Sequence, residues 1–124
     1  MTGNVSKHIN QITICGVGLI GGSLALAMKK RGFTGKVMGF GRPTTMERAL
    51  RAGAIDEGTA NLAEAVKDAD VVYLASPIMH ILELMEQLPA LVKREALITD
   101  AGSTKAVIVD KGSTLFPSQP WFIG

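Results

Sequence analysis

The chain has 124 residues, 47% of them hydrophobic and 19% charged, which suits one domain with a buried sheet and excludes a disordered chain. The formal charge of +2 is spread along the sequence apart from Lys29-Lys30-Arg31, so a nucleic-acid surface is not indicated. A single cysteine, Cys15, excludes an intrachain disulfide, and no metal site is expected. The polar start Met1-Thr2-Gly3-Asn4 lacks the apolar segment of a signal peptide, and the most apolar run, Val71 to Leu82, is interrupted by Ser76, Pro77 and His80. The expectation is a soluble cytoplasmic protein with no membrane partner.

In chain order, Ile12 to Cys15 forms a β-branched strand, and Leu19 to Arg31 an alanine-rich helix closed by Gly32. Lys29, Lys30 and Arg31 then sit in the last helical turn, where carbonyl dipoles favour cations. Lys36 to Phe40 gives a second strand, Thr44 to Ala52 a helix stopped by Gly53, and Ile55 a short third strand. Asn61 and Glu64 have the spacing of a capping box for a helix reaching about Asp68. Val71 to Ala75 has no polar alternation, as a central strand covered on both faces requires, and Ser76-Pro77 ends it.

Ile78, Ile81, Leu82, Met85 and Leu88 follow helical spacing up to Pro89, which is expected to close that helix or open the next turn. Ala96 to Thr99 forms a fifth strand. Asp100-Ala101-Gly102-Ser103 leads into a helix from about Thr104 to Asp110, and Trp121 to Ile123 starts a sixth strand. Strands alternating with helices predict an α/β, Rossmann-type doubly wound fold: one domain, a mainly parallel sheet, helices on both faces.

The turn Gly16-Val17-Gly18-Leu19-Ile20-Gly21 carries the chemistry. It follows a strand and opens a helix, so Gly16 can make the tight turn, Gly18 can admit a pyrophosphate to the backbone, and Gly21 can bring helix and sheet together. The anion would meet the free amides of the helix start at Leu19 and Ile20. About twenty residues after the turn an acid would bind the ribose hydroxyls of NAD. Here stand Gly41 and Arg42, with Thr44 nearby. Gly41 removes a carboxylate that would repel a 2′-phosphate, and Arg42 offers it a guanidinium fork, which favours NADP over NAD. The alternative makes Arg42 an exposed loop cation and Thr44 a helix cap.

Gly16 through Ala25, Ala69-Asp70 through Ala75-Ser76-Pro77, Gly53-Ala54-Ile55-Asp56-Glu57, and Thr99-Asp100-Ala101-Gly102-Ser103-Thr104-Lys105 together resemble the prephenate and arogenate dehydrogenases of tyrosine biosynthesis. The resemblance implies that Ala75, Ser76 and Pro77 border the cofactor and that Ser103 lies near nicotinamide and substrate, assisting catalysis. It also implies oxidative decarboxylation of a small cyclohexadienyl substrate, with a histidine taking the hydroxyl proton. Read from the residues alone, Ser103 is a helix N-cap and Asp100 a loop-ordering carboxylate.

In the resembling enzymes that histidine lies in a Gly-His-Pro motif soon after a segment like Trp121-Phe122-Ile123-Gly124, and a helical domain completes the pocket and the homodimer. Neither His8 nor His80 stands at the catalytic position. The expectation is therefore a nucleotide-binding domain, residues 1–124, without the helical domain and inactive by itself. Two other functions fit the opening turn: a non-enzymatic NAD(P)-sensing module, and a reductase related to 6-phosphogluconate dehydrogenase.

Overall fold

The computed structural model describes residues 9–16, 18–100 and 121–123. They form strands β1 (Gln11–Cys15), β2 (Lys36–Phe40), β3 (Glu57–Thr59), β4 (Val71–Leu74), β5 (Leu97–Asp100) and β6 (Trp121–Ile123). The helices are α1 (Leu19–Lys30), α2 (Pro43–Arg51), α3 (Leu62–Val66) and α4 (Ile78–Leu91). All six strands pair in parallel in the order β3-β2-β1-β4-β5-β6. The order reverses between β1 and β4, and in open parallel sheets ligands bind at that switch point, outside the carboxyl ends of the strands. The doubly wound fold expected from the alternation of elements is the one observed.

Side chains alternate across the sheet, so each strand feeds both faces. Ile12, Ile14 and Val37 pack with Ala25 of α1 and Met46 and Ala49 of α2. Cys15, Met38, Val72, Leu74 and Ile98 pack on the other face with Leu62, Ala65 and Val66 of α3 and Ile81, Leu84, Met85 and Leu88 of α4. Two layers of helix therefore cover the central strands. Cys15 lies wholly inside, where burial pushes its thiol up to about 12 and leaves it without thiolate character.

Gln11 and Thr13 are polar yet buried on β1. The Thr13 hydroxyl donates to the Ala65 carbonyl at 2.5 Å, and the Gln11 amide donates to the same oxygen at 3.3 Å and to Thr13 at 3.1 Å. Ala65 is in the last turn of α3, whose carbonyls lack helical partners, so the two polar groups satisfy an otherwise orphaned acceptor.

Two carboxylates tie down the amino-terminal edge of the sheet. Asp70 accepts from the Asn10 and Gln11 amides at 2.6 and 3.0 Å and pairs with Lys93. Burial pushes its carboxyl up, but the Lys93 hydrogen bond and the two amides outweigh that and hold it below its ordinary value. Asp56 accepts from Lys29 at 2.6 Å and from the Val37 amide at 2.8 Å, and the Lys29 bond is the main reason its carboxyl is lowered. Lys29, read from the sequence as a helix-end cation, thus also anchors α1 to the loop before β3.

Two elements depart from expectation. Ile55 is a buried plug packed with Met46 and Ala49, and the third strand is Glu57–Thr59 beyond it. Pro89 lies inside α4, which continues to Leu91 with Val92 donating to the Leu88 carbonyl at 3.0 Å. A proline so near the helix end removes one amide bond, and the buried Leu88 and the part-buried Leu91 hold the last turn against the sheet. The helix expected from about Thr104 to Asp110 lies outside the described residues.

Candidate cofactor site

Gly16 leaves β1 with φ +89°, a left-handed conformation that side chains rarely adopt, and a Cβ there would stand 2.9 Å from the Ser76 amide nitrogen. The turn closes through Gly18 donating to the Gly16 carbonyl at 2.9 Å and Gly22 donating to Gly18 at 2.8 Å. Gly18 is the N-cap of α1 and has no neighbour within 4 Å of a Cβ position, so its backbone faces open space. Gly21 does the opposite: a Cβ would meet the Gly16 carbonyl at 2.6 Å and Ile14 Cγ2 at 3.0 Å. It is the contact that seats α1 on the sheet.

No side chain caps α1, and its first turn, which contains Leu19 and Ile20, holds no acidic residue. The amides of that turn are thus left for an anion, in the positive field of the helix start.

Next to the turn lies a cleft of about 390 Å³ lined by Gly16, Gly18, Phe40, Gly41, Arg42, Thr45, Ala75, Ser76, Pro77 and His80. It sits at the carboxyl ends of β1, β2 and β4. The Ala75 amide donates to the Cys15 carbonyl at 2.8 Å and the Ser76 hydroxyl to the same oxygen at 3.4 Å, which joins the β4 exit to the glycine turn. Gly41 extends the β2 end through its amide, bonded to Thr59 at 3.2 Å. Arg42 caps α2 with extended backbone and no side-chain capping bond, and its guanidinium makes no ion pair among the described residues. Among the described residues, no acidic side chain lines the cleft.

Apart from Leu19 and Ile20 in the first turn of α1, the sequence-expected residues fall in four groups. Gly16, Gly18, Gly41, Arg42, Ala75, Ser76 and Pro77 converge on the cleft. Gly21 lies behind it, against the sheet. Ser103 lies outside the described residues. Thr44 is exposed and outside the lining, and Thr45 takes the position expected of it, because Pro43 starts α2 one residue earlier than Thr44 and rotates the next hydroxyl into the cleft. Sequence reasoning also passed over Phe40, the last residue of β2, and His80, one helical turn beyond the Pro77 that starts α4. The signal for His80 was its distance of three residues from Pro77, which places it on the face of the helix that bears the cleft.

The family described as prephenate dehydrogenase, nucleotide-binding domain, matches residues 24–124. The chain belongs to that family. Prephenate dehydrogenase from Bacillus subtilis (strain 168) is 37% identical over 115 residues, covering 91% of this chain and 31% of its own length. Among solved structures, prephenate dehydrogenase from A. aeolicus in complex with hydroxyphenyl propionate and NAD+ superposes with a TM-score of 0.84 at 30% identity, covering 92% of this chain and 40% of that one. Synechocystis arogenate dehydrogenase gives 0.78 at 32% identity, with 86% and 37% covered. The chain thus spans about three tenths of the length of the curated relative and corresponds to the nucleotide-binding part of prephenate dehydrogenases. Neither a sensor module nor a reductase of the 6-phosphogluconate group accounts for that family match.

Proposed function

We propose that the cleft binds a nicotinamide dinucleotide, NADP in preference to NAD, for the oxidative decarboxylation of prephenate or arogenate in the cytoplasm. The observation that carries the preference is the β2 exit: Gly41 and an Arg42 without an ion pair among the described residues, in a cleft whose described lining holds no acidic residue. An adenosine 2′-phosphate placed there meets a guanidinium and the Thr45 hydroxyl, with no carboxylate to repel it. NAD is the second reading, favoured by the NAD+ in the A. aeolicus structure.

The residues present fit the dinucleotide. The uncapped amides of α1 and the open backbone at Gly18 hold the pyrophosphate, while Ala75, Ser76 and Pro77 form the wall of the cleft beside the glycine turn. Held there, the dinucleotide would supply a hydride acceptor for the ring carbon that carries the substrate hydroxyl. Ser103 is proposed to lie beside that ring. The substrate-binding and dimer-forming parts are proposed to belong to the remainder of the relatives' length.

Replacing Arg42 with Ala tests the phosphate assignment. A charge-assisted hydrogen bond contributes about 1.5–3 kcal/mol, so the NADP dissociation constant should rise roughly tenfold to a hundredfold while that of NAD changes little. Equal losses for the two cofactors in calorimetry would show that Arg42 does not read the phosphate.

A further inference from the structure

His80 has no part in the turn or in phosphate recognition, yet it lines the same cleft as Arg42 and Thr45. It enters from α4, on the opposite wall, together with Pro77. It is exposed and makes no hydrogen bond or ion pair among the described residues, so no contact among them requires an imidazole there. On the wall it shares with Ala75, Ser76 and Pro77, the Ser76 hydroxyl is turned to the Cys15 carbonyl, and Ala75, Pro77 and, at the β2 end, Phe40 supply apolar surface. A flat aromatic side chain beside two apolar ones suits a planar heterocycle better than it suits a phosphate.

We infer that His80 is an adenine-recognition residue, its ring face forming one side of a slot completed by Pro77 and Phe40, with Arg42 and Thr45 holding the ribose end. The inference rests on the proposed dinucleotide site and assigns to it the wall that selects the base. The position follows from connectivity. The ribose lies at the β2 exit, the pyrophosphate at α1, and the base must continue from the ribose away from the pyrophosphate. The first turn of α4 is the part of the cleft lining that contributes an aromatic ring there without belonging to the sheet.

The test compares His80→Ala, His80→Phe and His80→Lys in the full chain, titrated by calorimetry with NADP+, 5′-AMP and nicotinamide mononucleotide. Stacking of a base on an aromatic side chain is lost on truncation to Ala, with an expected weakening of roughly fivefold to 150-fold for NADP+ and 5′-AMP. Nicotinamide mononucleotide should bind H80A and wild type equally, and H80F should restore NADP+ affinity to within about threefold of wild type. Rescue by H80K and not by H80F would overturn the inference in favour of a cationic phosphate contact. Unchanged affinity in H80A would overturn it outright. Failure of wild type to bind any of the three ligands would instead refute the dinucleotide site itself, and far-ultraviolet circular dichroism of each variant separates either outcome from misfolding.

Discussion

Gly21 and Gly22 are adjacent in α1, both glycine, and the fold treats them oppositely. Adding a methyl at Gly22 meets nothing within 4 Å, whereas at Gly21 it meets the Gly16 carbonyl at 2.6 Å and Ile14 Cγ2 at 3.0 Å. In a helix interior Ala is favoured over Gly by about 1 kcal/mol, so Gly22→Ala should raise stability by up to about that amount. Gly21→Ala gains the same propensity but overpacks against a backbone oxygen, which costs about 1–3 kcal/mol. The expected net effect runs from about neutral to a loss of roughly 2 kcal/mol. The larger effect should fall on binding, because the same Gly16 carbonyl accepts the Gly18 amide at 2.9 Å, and displacing it distorts the turn. Urea unfolding of both variants reads the stabilities, and calorimetry with NADP+ reads the turn. Equal stability and equal affinity in the two variants would refute the packing role assigned to Gly21.

Gly41→Asp should be accommodated, since its Cβ approaches only the far end of the Met46 side chain, at 3.1 Å, and the carboxylate should reverse the cofactor preference towards NAD in a competition titration. Asp70 has a folded-state carboxyl held below its unfolded value, so its stabilisation is complete above the ordinary carboxylate range near pH 4 and is lost as pH falls through the lowered value. Asp70→Asn should therefore cost about 1–3 kcal/mol at neutral pH and flatten the acid limb of a stability-against-pH curve, and an unchanged limb in urea titrations would show the carboxylate to be a bystander.

Much of this architecture is legible from residue pattern because its central strands are buried on both faces. Val71 to Leu74 carries a continuous apolar and aromatic run, and Ile12 to Cys15 a β-branched one, which fix their place in the sheet. The third strand escaped because Glu57-Gly58-Thr59 is a short polar edge, held by three register partners on β2 and carrying no hydrophobic alternation. The apolar residue that drew attention, Ile55, fills the gap beneath α2 instead. The capping box at Asn61 is half formed: Asn61 accepts the Glu64 amide at 3.0 Å, but Thr59 takes the Asn61 amide and the Glu64 carboxylate, a tertiary exchange that spacing cannot reveal.

At the site, the glycine turn and the Gly41-Arg42 step are local sequence features and could be read directly. Thr45 could not, because its place in the cleft depends on where α2 starts, and the three-residue spacing of His80 from Pro77 points to the cleft only once the facing of α4 is known. The burial of Gly21 behind the cleft likewise depends on the approach of α1 to β1 and β4.

The most direct test of dinucleotide binding follows backbone amides by nuclear magnetic resonance during titration with NADP+. A second hollow of about 400 Å³, lined by Gln11, Lys36, Thr59 and Lys67, lies on the other side of β2 and serves as an internal control. Saturable shifts at Gly16, Gly18, Gly41, Ala75 and Ser76, with Gln11 and Lys67 unmoved, are expected. Shifts confined to the second hollow, or none at millimolar cofactor, would contradict the site.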